Sequence, residues 1–270
     1  KKAIVDHIDQ YESYPDPFNR ELTGALSRFH GVEEKRICCG NGAADIIFLA
    51  VLSLKPKRAM IVSPTFPEYG EALEAVQCRT DHYFLTEENG FVLQEDILQR
   101  INRDYDMLFI CSPNNPTGVP VVGALMRRIA EKCLSEDVIL MVDECFMEFL
   151  EEEEKYSLMG QIKNFPNLII LKAFTKIYAM AGIRLGYGIC GSAEIAEKPW
   201  SVSTVASKAG VAALKLNGFI EKTKAYIKEN RQYLTDGMRR LGYKVYDTQA
   251  NYIFFRSEKE LAEPLERCDI

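Results

Sequence analysis

Three side chains that could together hold an aldehyde and a phosphate lie within one short stretch of the chain. The apolar run Leu168–Leu171 has the length and composition of a buried strand, and Lys176 follows it after a short turn. A lysine beside a buried strand is costly to desolvate, and it persists where its charge is paired or its pKa is lowered for use as an amine. Thr175 and Arg184 add a hydroxyl and a guanidinium that suit a phosphate. The set indicates an aldehyde that carries a phosphate, which describes pyridoxal phosphate.

Other polar or aromatic residues also follow apolar runs of strand length. The groups are Tyr69, Asn115, Asp143 and Lys176, and the preceding runs are 59–63, 107–111, 138–142 and 168–171. Ligands of open α/β sheets bind outside the carboxyl ends of the strands, so one ligand could contact all four groups. Each residue alone has an ordinary explanation as a packing aromatic, a turn residue or a helix cap. Those separate explanations do not account for the common position after strands.

A glycine-containing loop precedes an apolar helix that we predict over 43–54. Gly40 and Gly42 let backbone N–H groups converge, and a helix N-terminus favours an anion. The loop is not a Walker A loop, because no Gly-Lys-Ser/Thr follows, and it is not a GxGxxG loop, because Asp45 replaces the third glycine. A plain turn would explain the same residues, so the loop alone does not define a phosphate site.

Taken in chain order, these motifs resemble those of the fold-type I pyridoxal-phosphate enzymes of the class I and II aminotransferase group. The stretch around Lys176 is most similar to the histidinol-phosphate aminotransferases and threonine-phosphate decarboxylases. The resemblance implies an α/β fold, with a three-layer α/β/α large domain of the aspartate aminotransferase type and a smaller α+β domain. It also implies three parts: 1–30 at the small domain and dimer interface, 31–215 as the cofactor-binding domain, and 216–270 as interdomain helix and partial small domain.

The resemblance assigns catalytic roles to two residues. Lys176 would form the Schiff base with pyridoxal phosphate, be displaced by the substrate amine in an external aldimine, and then move protons as general base and acid. Asp143 would pair with the protonated pyridine nitrogen and keep the ring a strong electron acceptor. Phe146 stands where many aminotransferases carry a tyrosine bonded to the phenolic oxygen, so that hydroxyl is missing here.

The resemblance also implies a set of cofactor-binding residues. The phosphate would be held by the backbone of Ala43 and Ala44 and by the side chains of Thr175 and Arg184. The ring would be stacked by Tyr69, with Phe66 behind it, and its phenolic oxygen would be hydrogen-bonded by Asn115. Tyr14, before Pro15-Asp16-Pro17, would cross a homodimer interface to the cofactor phosphate of the neighbouring subunit.

The implied function is that of an enzyme acting on a phosphorylated amino acid or amine. Phe146, the stretch 112–116 and the stretch 175–178 look closer to threonine-phosphate decarboxylase, which breaks the bond between Cα and the carboxylate. The alternative within the family is histidinol-phosphate aminotransferase or another class I and II aminotransferase. Two other classes stay open: a nicotinamide-dependent enzyme using the 40–42 loop, which leaves Lys176 unexplained, and a non-catalytic protein of this fold.

Composition and charge indicate which classes of protein and which cellular compartment fit this chemistry. The 270 residues carry a net charge of −6, which argues against non-specific nucleic-acid binding. No apolar run approaches the roughly 20 residues of a membrane span, and the first ten residues lack the apolar core of a signal peptide. Eight scattered cysteines without a CxxC pair, and three histidines outside any motif, predict reduced thiols in a cytoplasmic protein without a metal site.

Beyond the lysine segment, the sequence predicts the start of a second domain. Helical spacing dominates from 204 to 241, with Gly218 as a point of weakness, and two strands are expected over 243–246 and 251–255. The abrupt join at Lys198-Pro199, and the greater length of family members, lead us to expect that residues are absent there and at both ends. The arginine that binds the substrate carboxylate in the family would lie beyond Ile270.

Overall fold

A seven-stranded sheet lies at the centre of the protein, whose computed structural model describes residues 1–192 and 199–267. The strands are β1 (Ile37–Gly40), β2 (Arg58–Ser63), β3 (Arg79–Phe84), β4 (Met107–Cys111), β5 (Ile139–Asp143), β6 (Leu168–Ala173) and β7 (Gly186–Cys190), with a separate pair β8 (Lys244–Tyr246) and β9 (Phe254–Arg256). The order is β1-β7-β6-β5-β4-β2-β3. Strands β2 to β6 pair in parallel, while β7 is antiparallel to β6 and to β1. The carboxyl ends of β2, β4, β5 and β6 therefore meet at one edge.

Helices cover both faces of this sheet. They are α1 (Lys2–Val5), α2 (Arg20–His30), α3 (Ala43–Leu54), α4 (Glu68–Ala75), α5 (Ile97–Arg100), α6 (Gly123–Ser135), α7 (Phe174–Ile177), α8 (Thr204–Ala213), α9 (Phe219–Arg240) and α10 (Ala262–Glu266). The buried residues of α3 and α4 pack on one face, and those of α2, α6 and α8 pack on the other. The fold class predicted from the sequence, a three-layer α/β/α domain of the aspartate aminotransferase type, is confirmed.

Side-chain alternation in the strands explains the two apolar layers. In β5, Leu140 and Val142 belong to the core on the α6 side, whereas Met141 belongs to the core on the α3 side. Successive strand residues point to opposite faces, so a central parallel strand must be apolar at every position. The uninterrupted apolar runs in the sequence are therefore the runs that form β2, β4, β5 and β6.

The helical stretch expected from 204 to 241 is divided in two. Helix α8 ends at Ala213 and α9 begins at Phe219, after Gly218 with a φ of 70°. A residue in the left-handed region cannot continue a right-handed helix, so Gly218 separates two helices rather than bending one. Two apolar residues of this stretch are also exposed, Leu216 at 53% and Leu241 at 74%.

The β8–β9 pair is tied to the large sheet by polar contacts. Glu87, in the loop after β3, accepts hydrogen bonds from Lys244 at 2.6 Å and Tyr246 at 2.5 Å, and pairs with Arg256 at 3.2 Å. Lys198, at the join noted in the sequence, and the C-terminal residue Ile270 lie outside the described residues. Among the helices of the described ranges, none combines the length and the apolar character needed to cross a membrane.

Candidate functional site

A cavity of about 190 Å³ opens at the carboxyl ends of β4, β5 and β6, beside the N-terminus of α3. Its lining is made by Ala43, Ala44, Phe66, Glu68, Cys111, Asn115, Asp143, Cys145, Phe146, Ala173, Thr175, Lys176 and Arg184. All the site residues predicted from the sequence are in this set except Tyr69 and Tyr14. Asn115, Asp143 and Lys176 meet because they follow β4, β5 and β6, whose carboxyl ends lie at one edge. Ala43 and Ala44 follow β1, and Arg184 precedes the antiparallel strand β7.

One end of the cavity is built to meet an anion. Gly42 precedes α3 with a φ of 89°, and a Cβ there would lie 2.6 Å from Nη2 of Arg184. A Cβ on Gly186 would lie 2.3 Å from the backbone N of Ala43, so β7 contacts the loop directly because it has no side chain at this point. Arg184 itself has a left-handed backbone, with a φ of 56°. The first backbone N–H groups of α3 and this guanidinium form the positive end of the site.

The Asp143 carboxylate at the other end of the cavity is held by two hydrogen bonds. The hydroxyl of Tyr69 donates to Oδ2 at 2.7 Å, and the backbone N–H of Cys145 donates to Oδ1 at 2.9 Å. Asp143 is 5% exposed, so its two oxygens are fixed in orientation rather than solvated. Burial, together with the charge of Asp143, raises the pKa of Tyr69 well above its usual range, which keeps the phenol a donor.

The structure corrects the role predicted for Tyr69. Its ring is 1% exposed and stacks on Phe109 at 5.3 Å, so it does not line the cavity. Phe66 lines the cavity instead and meets the edge of Tyr69 at 5.8 Å. The reason is that α4 begins at Glu68, which turns Tyr69 inward under the sheet edge and leaves Phe66 in the preceding loop. Phe66, predicted to lie behind Tyr69, faces the cavity in its place.

The side chains of the two adjacent asparagines in the 112–118 loop make different contacts. The Asn114 amide donates to the Pro64 carbonyl at 2.9 Å and to Thr117 at 3.0 Å, and it accepts from Thr65 at 3.0 Å. Its side chain is thus occupied in joining the loop after β4 to the loop after β2. Asn115 is the amide that remains to line the cavity.

Lys176 lies on the one-turn helix α7, directly after β6. Its side chain is exposed, lines the same cavity as Asp143, and places Nζ 5.3 Å from the centre of the Phe146 ring. Thr175 beside it is 9% exposed and also lines the cavity. The sequence predicts the desolvated lysine at position 176, but the buried lysine of this segment is Lys172, which is 4% exposed within β6.

Glu68 is a cavity residue that the sequence analysis did not identify. Its Oε2 is buried and has no hydrogen-bond partner within residues 1–192 and 199–267. Burial raises the pKa of this carboxyl, and the negative charges of Glu71 and Asp143 add to the effect. A glutamate in an acidic helical segment carries no sequence signal for such a position, because only the start of α4 decides where it points.

Two cysteines also line the cavity without having been expected there. Cys111 ends β4 and Cys145 follows β5, and both are buried. Burial raises the pKa of both thiols, and Asp143 adds to the rise. A thiol that stays protonated is a poor nucleophile, so we assign these residues to the walls of the site rather than to its chemistry.

Tyr14 lies away from this cavity. Its side chain is 92% exposed, next to a separate surface hollow that it shares with Asp16 and Lys208. Contact with the cofactor of a neighbouring subunit, as predicted from the sequence, requires an exposed position of this kind, and that role stays a prediction.

The residues around the cavity fit a flat ring with a phosphate at one end and an aldehyde beside an amine. Arg184, Thr175 and the α3 N-terminus suit the phosphate, and Asp143 suits a protonated ring nitrogen. The amine of Lys176 lines the same cavity and suits the aldehyde. Of the charged side chains in this lining, the carboxylate of Glu68 is the one without a chemical counterpart in such a ligand.

Comparison with known proteins gives a consistent picture. A family model described as aminotransferase class I and II matches residues 1–265. A threonine-phosphate decarboxylase of Salmonella typhimurium is 37% identical over 268 residues, which cover 96% of this chain and 73% of that protein.

Solved structures extend the comparison. The histidinol-phosphate aminotransferase of Clostridium acetobutylicum superposes with a TM-score of 0.89 at 28% identity, covering 99% of this chain and 84% of that one. The histidinol-phosphate aminotransferase of Sinorhizobium meliloti, in complex with pyridoxal-5'-phosphate, superposes with a TM-score of 0.85 at 20% identity, covering 96% of this chain and 72% of that one. At this lower identity the second likeness concerns the fold alone.

Proposed function

The chain belongs to the class I and II aminotransferase family, and we propose that it is a pyridoxal-phosphate-dependent enzyme acting on a phosphorylated amino acid. Within this family we propose the reaction of a threonine-phosphate decarboxylase. The observation that carries the choice is the 37% identity to the Salmonella decarboxylase over 268 residues. The apolar ring of Phe146 near Lys176, where many aminotransferases carry a tyrosine, supports it.

The cavity residues support binding of the cofactor. When bound, pyridoxal phosphate supplies an aldehyde that reacts with amines and a ring that accepts the electron pair released at Cα. Arg184, Thr175 and the backbone at Ala43 and Ala44 would hold its phosphate. Asp143, oriented by Tyr69, would hold the ring nitrogen, while Asn115 would donate to the phenolic oxygen and Phe66 would cover the ring.

Lys176 is the residue proposed to carry the reacting proton. In the overall decarboxylation, the bond between Cα and the carboxylate breaks, carbon dioxide leaves, and one proton is taken up at Cα. Among the lining residues Lys176 has an amine that can both attach to an aldehyde and deliver a proton. Its exposed position in a one-turn helix leaves the side chain free to move between these tasks.

Transamination by a histidinol-phosphate aminotransferase is the second candidate. The superposition on the Clostridium enzyme, with a TM-score of 0.89, favours it. Lys176 could remove a proton from Cα as readily as it could deliver one, so the two reactions use the same amine. The outcome depends on which bond to Cα stands perpendicular to the ring, and substrate-orienting groups control that choice.

A larger cavity of about 650 Å³ runs along β3, but it does not offer a better site. None of the residues predicted from the sequence lines it. Its guanidinium from Arg58 is already paired with Asp81 at 2.7 Å, and it stacks on Tyr105 at 4.5 Å. The nicotinamide-dependent alternative relied on the 40–42 loop. That loop does not line the larger cavity, because Gly42 lies beside Arg184 of the smaller one.

We also propose that the protein acts as a homodimer. Tyr14, Phe18 and Trp200 are all more than half exposed, and the backbone N–H of Trp200 donates to the Pro17 carbonyl at 3.3 Å, next to Phe18 in the chain. Exposed large apolar side chains of this kind suit an interface. The domain division at 1–30, 31–215 and 216–270, and a cytoplasmic location suited to the buried thiols, belong to the same proposal.

Absorbance and product assays test this function. The wild-type protein incubated with pyridoxal phosphate is expected to turn yellow, and Lys176→Ala is expected to lose the colour, whereas Lys163→Ala at an exposed position keeps it. Incubation with O-phospho-threonine is expected to release carbon dioxide and an aminopropanol phosphate. Keto acid without carbon dioxide would instead indicate transamination, and a colourless wild type would reject the enzyme proposal as well as its cofactor.

A further inference from the structure

A buried group of charges lies under the floor of the cavity, on the other side of the sheet. Nζ of Lys172 is 3.0 Å from Oε1 of Glu148 and 3.3 Å from Oε2 of Glu144. The side chains of Lys172 and Glu144 are 5% and 1% exposed. Ser157 donates its hydroxyl to both oxygens of Glu144, at 2.9 and 2.8 Å. Nothing in the proposed reaction uses these residues directly.

The charged residues Glu144 and Lys172 are close in sequence to the cavity residues Asp143 and Lys176. Glu144 directly follows Asp143 at the end of β5, and Lys172 lies four residues before Lys176 in β6. Strand side chains alternate, and Ile170 belongs to the core on the α6 side, so Lys172 points to that face. Asp143 faces the cavity, and Glu144 faces Lys172. The charge pair therefore joins the two strand ends from which Asp143 and Lys176 project.

A backbone hydrogen bond also connects the ends of β5 and β6. Strands β5 and β6 pair in parallel, with Asp143 opposite Leu171, and the Glu144 N–H donates to the Leu171 carbonyl at 2.9 Å. That is the last ladder contact before the chains separate, one into the loop after β5 and the other into α7. Beyond this hydrogen bond, the ion pair between Lys172 and Glu144 connects the same two strand ends through side chains.

The charges are not explained by a gain in stability. Two carboxylates face one ammonium, and Oε2 of Glu148 is buried without a hydrogen-bond partner in the described part of the chain. Burial would lower the pKa of Lys172, but Glu148 and Glu144 raise it well above its usual range, so the ammonium stays charged. Buried ion pairs are often no more stabilising than apolar side chains of the same size, whereas they do fix one arrangement of their neighbours.

We propose that Lys172 and Glu144 are positioning residues, whose ion pair holds the ends of β5 and β6 together and so fixes Lys176 relative to Asp143. The inference rests on the proposed function, because it assigns these two groups to one cofactor. Glu148 is also an ion-pair partner of Lys172, at 3.0 Å, but it lies further along the chain than Glu144, which directly follows the last residue of β5. We therefore assign the connection between the two strand ends to Glu144.

Two isosteric variants separate positioning from simple charge balance. Glu144→Gln and Glu148→Gln each remove one of the two carboxylates that face Lys172, and each leaves one ion pair. We expect Glu144→Gln to lower kcat for carbon dioxide release by on the order of 10- to 100-fold with little change in KM, because small misplacements of reacting groups have effects of this size. Glu148→Gln and the charge-conserving Lys172→Arg are expected to stay close to the wild type.

Two readouts do not depend on turnover. The pH midpoint of the bound cofactor's absorbance is expected to shift in Glu144→Gln and not in Glu148→Gln, since it reports the surroundings of the Lys176 nitrogen. In the cofactor-free protein, hydrogen exchange of residues 171–177 is expected to quicken only in Glu144→Gln. This last measurement needs no cofactor, so it tests the positioning even if the wild type fails to bind pyridoxal phosphate.

Three results would overturn the proposal. Equal behaviour of Glu144→Gln and Glu148→Gln in all readouts would show that only net charge matters. A Glu144→Gln protein with lowered thermal stability but unchanged absorbance midpoint, kcat and exchange at 171–177 would indicate a structural role. A Glu144→Gln protein that does not fold, while Lys172→Arg does, would show that the pair is needed for folding rather than for placing the site.

Discussion

The hydroxyl of Tyr69 donates to Oδ2 of Asp143 at 2.7 Å from outside the cavity that Asp143 lines. The tyrosine ring is held by stacking on Phe109, and it contacts the edge of Phe66, which lines the cavity. The residue that would orient the ring nitrogen of the cofactor is thus itself oriented by a buried phenol. Hydrogen bonds from buried groups thus hold the Asp143 carboxylate, whereas the side chain of Lys176 in the same cavity is exposed.

Removing the Tyr69 hydroxyl is expected to weaken cofactor binding. A hydrogen bond to a charged group contributes about 1.5–3 kcal/mol, so Tyr69→Phe should lower the affinity for pyridoxal phosphate by roughly 10- to 100-fold. Tyr105→Phe is the matched control, because Tyr105 donates to Asp81 at 3.0 Å away from the cavity. Equilibrium dialysis measures both affinities. Equal affinities in the two variants would contradict the role given to Tyr69.

Replacing Gly42 by alanine is expected to damage the anion end of the site. The new Cβ would lie 2.6 Å from Nη2 of Arg184, and the backbone at a φ of 89° would be strained as well. The strain costs on the order of 1–3 kcal/mol, and displacement of the guanidinium should lower the affinity for the phosphate at least about ten-fold.

Gly90→Ala separates strain from the loss of the Arg184 contact. Gly90 has a φ of 60°, and among the described residues no atom beyond its two chain neighbours lies within 4 Å of the place that a Cβ would take, so its replacement should lower thermal stability only. Thermal unfolding with and without pyridoxal phosphate compares the two variants. The prediction for Gly42 fails if the cofactor raises the melting temperature of Gly42→Ala as much as that of Gly90→Ala.

The half-buried histidine at the end of α2, His30, should make stability depend on pH. Burial, and then the positive charge of Lys172, lower the pKa of His30 from 6.5 to about 3, and its Nε2 is 2.9 Å from the Tyr187 hydroxyl. Since the folded pKa is the lower one, the stabilising contribution is present above pH 6.5 and is lost as the pH falls toward 3. The slope is at most about 1.4 kcal/mol per pH unit.

Urea unfolding at several pH values tests this expectation. His30→Gln is expected to flatten the decrease in unfolding free energy between pH 6.5 and pH 4, because the unfolded chain then has no extra proton to bind at this position. His82→Gln is the control, since His82 also lies 2.8 Å from a hydroxyl, that of Ser63, but is exposed. An unchanged slope in His30→Gln would refute the assignment.

Much of the fold could be predicted because its strands are apolar on both faces. The apolar runs before Asn115, Asp143 and Lys176 predict strands, and β4, β5 and β6 lie there. Helix α3 occupies the predicted residues 43–54. The rule that parallel strands place their carboxyl ends at one edge then predicts which side chains meet. Burial of both sheet faces leaves uninterrupted apolar runs in the sequence, and those runs are sufficient to predict these strands.

Side-chain direction near the strand ends could not be predicted in this way. Phe66 and Tyr69 are both aromatic residues just beyond β2, and only the start of α4 at Glu68 decides which of them faces the cavity. Lys172 and Lys176 are two lysines on one short segment, and strand alternation sends the first to the opposite face. One turn of helix changes which way a side chain points, and this change does not alter the pattern of apolar residues in the sequence.

From its residues alone, the chain determined a parallel α/β sheet, the strand ends that gather an amine, a carboxylate and an amide, and the resemblance to one family. Only the tertiary structure decided that Tyr69 supports Asp143 from behind, that Glu68 enters the cavity, and that a buried ion pair of Lys172 and Glu144 joins two strands. The physical reason is the range of the forces involved. Apolar periodicity is a local property that any window of the chain displays, whereas a hydrogen bond or ion pair between distant residues exists only once the backbone has brought its partners within about 3 Å.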